Sequence, residues 1–249
     1  MPAPILYFGD TSLTTAAAYL GGLLAKAGWI FDYVASDVAS DAPEIVDGRS
    51  LVILSDYPSA RMSPGVAEAV VEAVSRGTGL VMLGGWESYH GLGGDWDRSA
   101  VAKILPVDIS PADDRRNCDH PVFLQPVSDH PILRGLPWKD RPPLIGGFNQ
   151  VRPKPGAEVL LEGVHVRARF TPAGLEATPT DRTPLLAVSH HGSGRVACLM
   201  TDVAPHWVGP LVDWGDARIT AQAPGAGEVE VGSLYALFFT QLLEWAMKR

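Results

Sequence analysis

A chain of 249 residues with 46% apolar and 19% charged residues has the composition of a packed globular protein, far from the charge-rich balance of a disordered one. At this length one large α/β domain would bury roughly 70–75% of the surface its unfolded chain exposes, so a single domain over 1–249 is expected. Twenty basic residues against twenty-eight acidic ones leave a net charge of −8, which argues against nucleic acid as a partner.

Two cysteines, Cys118 and Cys198, are too few for a disulfide framework, and Cys198 lies in the apolar run RVACLMT, where a buried structural thiol is expected. The opening MPAPILYFGD has no basic leader, and no stretch approaches the ~20 apolar residues of a membrane span. The expectation is a cytoplasmic protein with no membrane partner.

Short apolar runs alternate with amphipathic segments through the first hundred residues: ILYF (5–8), FDYVAS (31–36), SLVILSD (50–56) and GLVMLGG (79–85). Strands separated by helices imply a parallel sheet with crossover connections. The first helix has Thr11 and Ser12 as capping candidates, an apolar face of Leu13, Ala17, Leu20 and Leu24, and an end by Gly28. The second has Ser63 as cap, Pro64 at the first helical position, Val66, Val70 and Val74 on one face, and Gly77 as the stop. From 95 to 154 nine prolines interrupt helices and ladders alike, and the pattern predicts short strands and loops covering the sheet. AEVLLEG (157–163) is followed by PLLAVSHHGSGRVACLMTD (184–202), which reads as a hairpin. The last helix is expected to start at a capping Ser233 and to bury Leu234, Leu237, Phe238, Leu242 and Trp245.

In an open parallel sheet, ligands sit beyond the carboxyl ends of the strands. The polar residues following each apolar run are therefore candidates: Asp10, Ser55 and Asp56, the stretch Gly84 to His90, and Asp202 to Trp207. Asp10 and Asp56 are equally suited to fixing local turns. The glycines at 84, 85, 91, 93 and 94 suit close backbone approach to a ligand or tight turning. Asp10, Asp56, Asp202, His90 and His206 would offer histidine and carboxylate ligands, but no metal-binding spacing accompanies them, and neither metal nor cofactor is expected. Trp86, Trp207 and Trp214 stand near these loops and would line a cleft or fill the core.

This arrangement resembles the class I glutamine amidotransferase-like superfamily, a flavodoxin-like α/β fold that includes trehalose-utilisation-like proteins. The resemblance rests on GLVMLGG as the elbow strand, GSGRVACLMTDVAPHW as the late hairpin delivering a histidine, and GGFNQVRPKPGAEVL with DHPILRGLPW. It implies a three-layer sandwich, a mostly parallel sheet with helices on both faces and an antiparallel hairpin near the edge. In that superfamily a cysteine on the elbow attacks glutamine; here Gly84 stands in its place, and of the late histidine-proline-glutamate only His206 is matched. Ser88 and Cys118 lack the setting of a replacement nucleophile.

The expected function is accordingly a member without glutaminase activity that binds a small polar molecule between Asp10, Asp56, Gly84, Gly85, Trp86, Ser88, His90, Asp202 and Trp207. The alternatives are a hydrolase or lyase in which His206 works with Glu87 or Asp202 as acid and base, and a non-catalytic interaction module. His206 and Glu87 are expected to face one another across the elbow. A homodimer or higher homo-oligomer is the expected assembly.

Overall fold

The computed structural model describes residues 4–249. Four five-residue strands, β1 (Ile5–Gly9), β2 (Phe31–Ala35), β3 (Leu51–Ser55) and β4 (Gly79–Leu83), alternate with the helices α1 (Ala18–Lys26) and α2 (Pro64–Arg76). β1, β3 and β4 are buried at every position, as uninterrupted apolar runs require when both faces of a parallel sheet are covered. The proline-rich stretch holds β5 (Val107–Asp108), β6 (Arg115–Pro126), β7 (Leu144–Asn149) and β8 (Arg152–Pro153). Then follow β9 (Glu158–Thr171), β10 (Gly174–His191), β11 (Gly194–Leu199), α3 (Pro205–Val212), the ribbon β12 (Arg218–Gln222) and β13 (Glu228–Gly232), and α4 (Ser233–Met247).

Nine strands form one sheet in the order β2-β1-β3-β4-β11-β10-β9-β6-β7. β2, β1, β3, β4 and β11 run parallel; β10, β9, β6 and β7 continue the sheet antiparallel. This is an α/β flavodoxin-like sandwich with an antiparallel extension. The β10–β11 hairpin lies in the middle of the sheet rather than near its edge, because β11 pairs in parallel with β4 while β9, β6 and β7 stack beyond β10. For the same reason β6 and β7 extend the sheet instead of covering it. The prolines are tolerated because β6 pairs irregularly, with a register shift between Asn117 and Val122.

α2 follows the sequence pattern closely: Ser63 Oγ accepts the Val66 N–H at 3.3 Å, Pro64 opens the helix, Val66, Val70 and Val74 are buried, and Gly77 ends it at φ +125°. α1 departs from it. Ser12 Oγ accepts the Thr14 N–H at 3.0 Å, and the helix starts only at Ala18 with no side-chain cap. Ser12 with the β-branched Thr14 and Thr15 just after it favours such local turns over helix, so Thr11 and Ser12 are not caps. In α4 the cap position falls to Gly232 rather than Ser233, because β13 runs directly into the helix; the glycine there also leaves room for the Trp214 carbonyl oxygen, 2.0 Å from where a Cβ would stand. Leu237 is 38% exposed, while Phe238, Leu242 and Trp245 are buried.

Candidate functional site

Because β1, β3, β4 and β11 are parallel and in register, with Ser55 opposite Leu83 and Leu83 opposite Leu199, their carboxyl ends open on one side. Asp10, Asp56, Gly84 and Asp202 are therefore delivered to a common rim.

The elbow after β4 is filled by the protein itself. Gly84 N–H is held by the carbonyls of Leu199 and Thr201 at 2.8 and 3.0 Å. A Cβ at this position would lie 2.7 Å from Asn149 Oδ1, the Met200 carbonyl carbon and the Thr201 nitrogen. At Gly85 a Cβ would lie 2.1 Å from Asp56 Oδ1. A side chain at either position would force the atoms around it to shift. The backbone donors that an oxyanion would need are also engaged: Gly85 N–H donates to Asn149 Oδ1 at 2.9 Å, and Glu87 N–H to Asp56 Oδ1 at 2.8 Å. Further round the loop, His90 and Gly91 N–H donate to the two oxygens of Asp114 at 3.1 and 3.0 Å.

Two buried residues that the sequence reading missed hold this loop. Asn149 has no exposed surface; its amide donates to the Gly85 carbonyl at 3.1 Å and to Asp114 Oδ1 at 2.9 Å. Asp114 is 1% exposed. Both come from the proline-rich stretch, and the only signals were the asparagine in GGFNQ and the acidic pair before RRNC. Neither pattern says that a chain segment more than twenty residues on returns to staple the elbow.

Around the rim the charges are concentrated and acidic. Burial pushes the Asp56 carboxyl well above its usual range, reinforced by Asp202. Its backbone lies in the left-handed region at φ 51° and its N–H donates to Ser88 Oγ at 2.9 Å, so Ser88 helps to fix the aspartate's backbone. Asp202 is 2% exposed; Oδ1 accepts the N–H groups of Val203 and Ala204, and Oδ2 meets His206 Nδ1 at 3.1 Å. That hydrogen bond raises the His206 imidazole above its ordinary value, with Asp56 and Asp10 adding to it. Glu87 is raised by burial and by Asp10. The carboxylate joined to His206 is thus Asp202, four residues before it, and Asp10 is the charge felt by both His206 and Glu87.

Asp10 itself accepts the N–H and hydroxyl of Thr11, which shows the turn-fixing use and leaves it partly exposed at the rim. Beneath the acids lies Tyr7, fully buried, its hydroxyl without a hydrogen-bond partner among the described residues. Burial holds that phenol well above its normal range, and Asp202 and Asp56 act in the same direction.

The remaining candidates divide. His90 turns away to Asp97, 3.0 Å from Nδ1, and Asp95, 3.6 Å from Nε2, and these three side chains are the group among the described residues placed closely enough to hold a metal ion. Trp86 is 49% exposed, with the Arg115 guanidinium 4.7 Å above its ring. Trp207 is buried and donates to Asn117 Oδ1 at 2.8 Å, while Trp214 packs on Trp138 with ring centroids 4.7 Å apart. A cleft of 350 Å³ between α3 and the β6 strand is lined by His206 and Trp207 on one side and Cys118 and His120 on the other. Burial raises the Cys118 thiol and pushes that of Cys198 up to about 12, so neither is a ready thiolate.

No helix among the described residues is long and apolar enough to cross a membrane. No curated protein matches the chain. Among solved structures it is similar to a cytoplasmic protein from Salmonella typhimurium, with a TM-score of 0.74 and 21% identity over 98% of both chains. A second cytoplasmic protein, from Salmonella typhimurium LT2, gives 0.72 and 20% over 97% of this chain and 98% of that one. A ThuA-like protein from Parabacteroides merdae gives 0.60 and 14%, covering 99% and 90%. The family model described as "putative glutamine amidotransferase" matches residues 36–220, a span containing the elbow, Asp114, Asn149 and the Asp202–His206 pair, and the chain belongs to that glutamine amidotransferase-like family.

Proposed function

We propose that this chain binds a small polar molecule at the carboxyl ends of β1, β3, β4 and β11 and does not hydrolyse glutamine. The observation that carries the reading is the filled elbow. A cysteine at 84 would overlap the Met200–Thr201 backbone, and the amide donors at 85 and 87 are already occupied by Asn149 and Asp56 respectively. Both the nucleophile and the oxyanion donors of an acyl-transfer site are therefore missing together.

What the rim presents instead is the half-buried carboxyl groups of Asp10 and Glu87, with His206 at the mouth and the buried acids Asp56 and Asp202 beneath them. Such a set recognises a molecule that presents hydrogen-bond donors, hydroxyls or a protonated amine. The test pairs an ammonia-release assay on glutamine with calorimetric titration of glucose and 1,4-diaminobutane, in the parent protein and in His206→Ala. Ammonia release above buffer overturns the first half. Affinities for both probes that are absent, or indifferent to His206, overturn the second.

A second reading keeps the same residues and adds proton transfer, giving a hydrolase or lyase. The Asp202–His206 hydrogen bond favours it, because a carboxylate on Nδ1 fixes the tautomer that leaves Nε2 to accept a proton, and Nε2 has no protein partner among the described residues. In that reading the partner of His206 is Asp202, with Glu87 across the elbow in the acid role.

A further inference from the structure

The antiparallel extension of the sheet contains a second recess that the rim chemistry does not use. β6 pairs with β9 only over Val122–Pro126, opposite His165–Leu161. Upstream of Val122, β6 stays with β7 through Arg115, Arg116 and Asn117, while beyond His165 β9 continues with β10 alone. The two ribbons diverge there and leave a cleft of 460 Å³ between them. Irregularities in both ribbons shape its walls. Residues 118–121 of β6 drop out of register with β7, and β10 shifts register between Pro179 and Asp181. Bulges of this kind re-aim side chains, and they recur beside binding sites.

The cleft is rich in arginine for so acidic a chain. In a chain of net charge −8, Arg116, Arg167 and Arg182 line one recess together with His120 and His165. Of the two aspartates there, Asp119 is held by His120 at 2.9 Å and Asp181 accepts the Arg182 backbone N–H at 2.8 Å. Arg182 is paired with Glu162 at 3.1 Å. The other two arginines have no carboxylate partner among the described residues. Arg116 is oriented by Gln150, whose Oε1 accepts from Nε at 2.7 Å, and by the Arg115 carbonyl at 2.9 Å from Nη1, and Arg167 makes no ion pair or hydrogen bond there. The His165 ring stands edge-on to buried Phe148 at 5.6 Å between centroids, which gives the recess an apolar floor.

We propose that this cleft binds a small molecule bearing an oxyanion, carboxylate or phosphate, with Arg116 and Arg167 as its two cationic contacts. Guanidinium groups suit both anions through paired N–H donors. A pre-oriented arginine and an unpaired one across a recess of this size suit a molecule of metabolite dimensions. The site is separate from the acidic rim, and the proposal does not rest on what the rim binds.

The experiment is isothermal titration at low ionic strength with inorganic phosphate and with citrate as probes, on the full chain and on Arg116→Gln, Arg167→Gln, Asp202→Asn and, as a surface control, Arg76→Gln. Saturable binding of at least one probe is expected, with affinity at least tenfold weaker in each of Arg116→Gln and Arg167→Gln and unchanged in Asp202→Asn and Arg76→Gln. Tighter phosphate than citrate assigns a phosphate site, and the reverse order a carboxylate site. Absence of saturable binding by both probes overturns the proposal, and so does an affinity that either cleft arginine leaves unchanged. Both arginines are exposed, so unchanged thermal melts are expected to accompany the loss.

Discussion

Asp202 Oδ2 and His206 Nδ1 are 3.1 Å apart, joining a carboxylate that is 2% exposed to an imidazole that is 58% exposed. Four residues separate them, and the N-terminal turn of α3 brings the histidine back over the buried acid. The acid is fixed from below by two backbone N–H groups, so the pair is held from its buried end.

The hydrogen bond from Asp202 raises the His206 imidazole above its ordinary value of about 6.5. A raised folded-state value means that this stabilisation is complete below about pH 6.5 and is lost as pH rises through the folded value. Proton NMR of the imidazole should show a midpoint above that of a free histidine, and Asp202→Asn should move it down. Equal midpoints in the two proteins would remove Asp202 as the cause.

Gly84→Cys should not create a glutaminase. The added Cβ meets backbone atoms at 2.7 Å, which cannot swing aside as a side-chain end would, and overpacking of this kind costs about 1–3 kcal/mol. The expected result is a lower melting temperature with ammonia release still at background. Turnover of glutamine by this variant would show that the elbow opens.

The parallel half of the fold was legible because each strand there is a bare apolar run: residues 5–8, 50–56 and 79–85 contain strands buried at every position, and α2 carries its cap, its first-turn proline and its terminal glycine in sequence. Asp10, Asp56 and Asp202 were legible from the same rule, since each lies just past a parallel strand. What was not legible depends on long-range pairing. Nothing local in β6 says that it joins β9 and β7 at the far side of the sheet, or that Asn149 reaches Gly85. The partner of His206 was available locally at four residues' distance, but a strand-end argument gives Glu87 and Asp202 equal standing. Only the turn into α3 separates them.

Asn149→Ala tests whether the elbow is stapled from the proline-rich stretch. The substitution removes the acceptor of the Gly85 N–H and the donors to Gly85 and Asp114, leaving buried groups unpaired at about 1–3 kcal/mol each. A large loss of stability is expected, with hydrogen exchange at Gly85, His90 and Gly91 accelerated more than in α2. Uniform acceleration across the chain, or none, would mean that the loop is held by its own backbone.

Asp56→Asn should stabilise the protein at neutral pH. Asp56 is buried beside Gly85, its carboxyl is raised by desolvation and then by Asp202, and the Glu87 N–H on Oδ1 only partly opposes that shift. With the folded value above the unfolded one, near 3.8, the folded chain holds the proton more tightly. The aspartate therefore favours folding most below about pH 3.8, and this advantage is lost as pH rises through the folded value. Asparagine keeps an oxygen for the Glu87 N–H and carries no charge, so it has no such dependence. Thermal melts of the two proteins should diverge as pH is raised from 4 to 8, with the variant higher at the upper end; for a chain of this size each kcal/mol corresponds to ~2–4 °C. A variant that melts lower than the parent at pH 7 would mean that Asp56 is ionised at little cost to the fold.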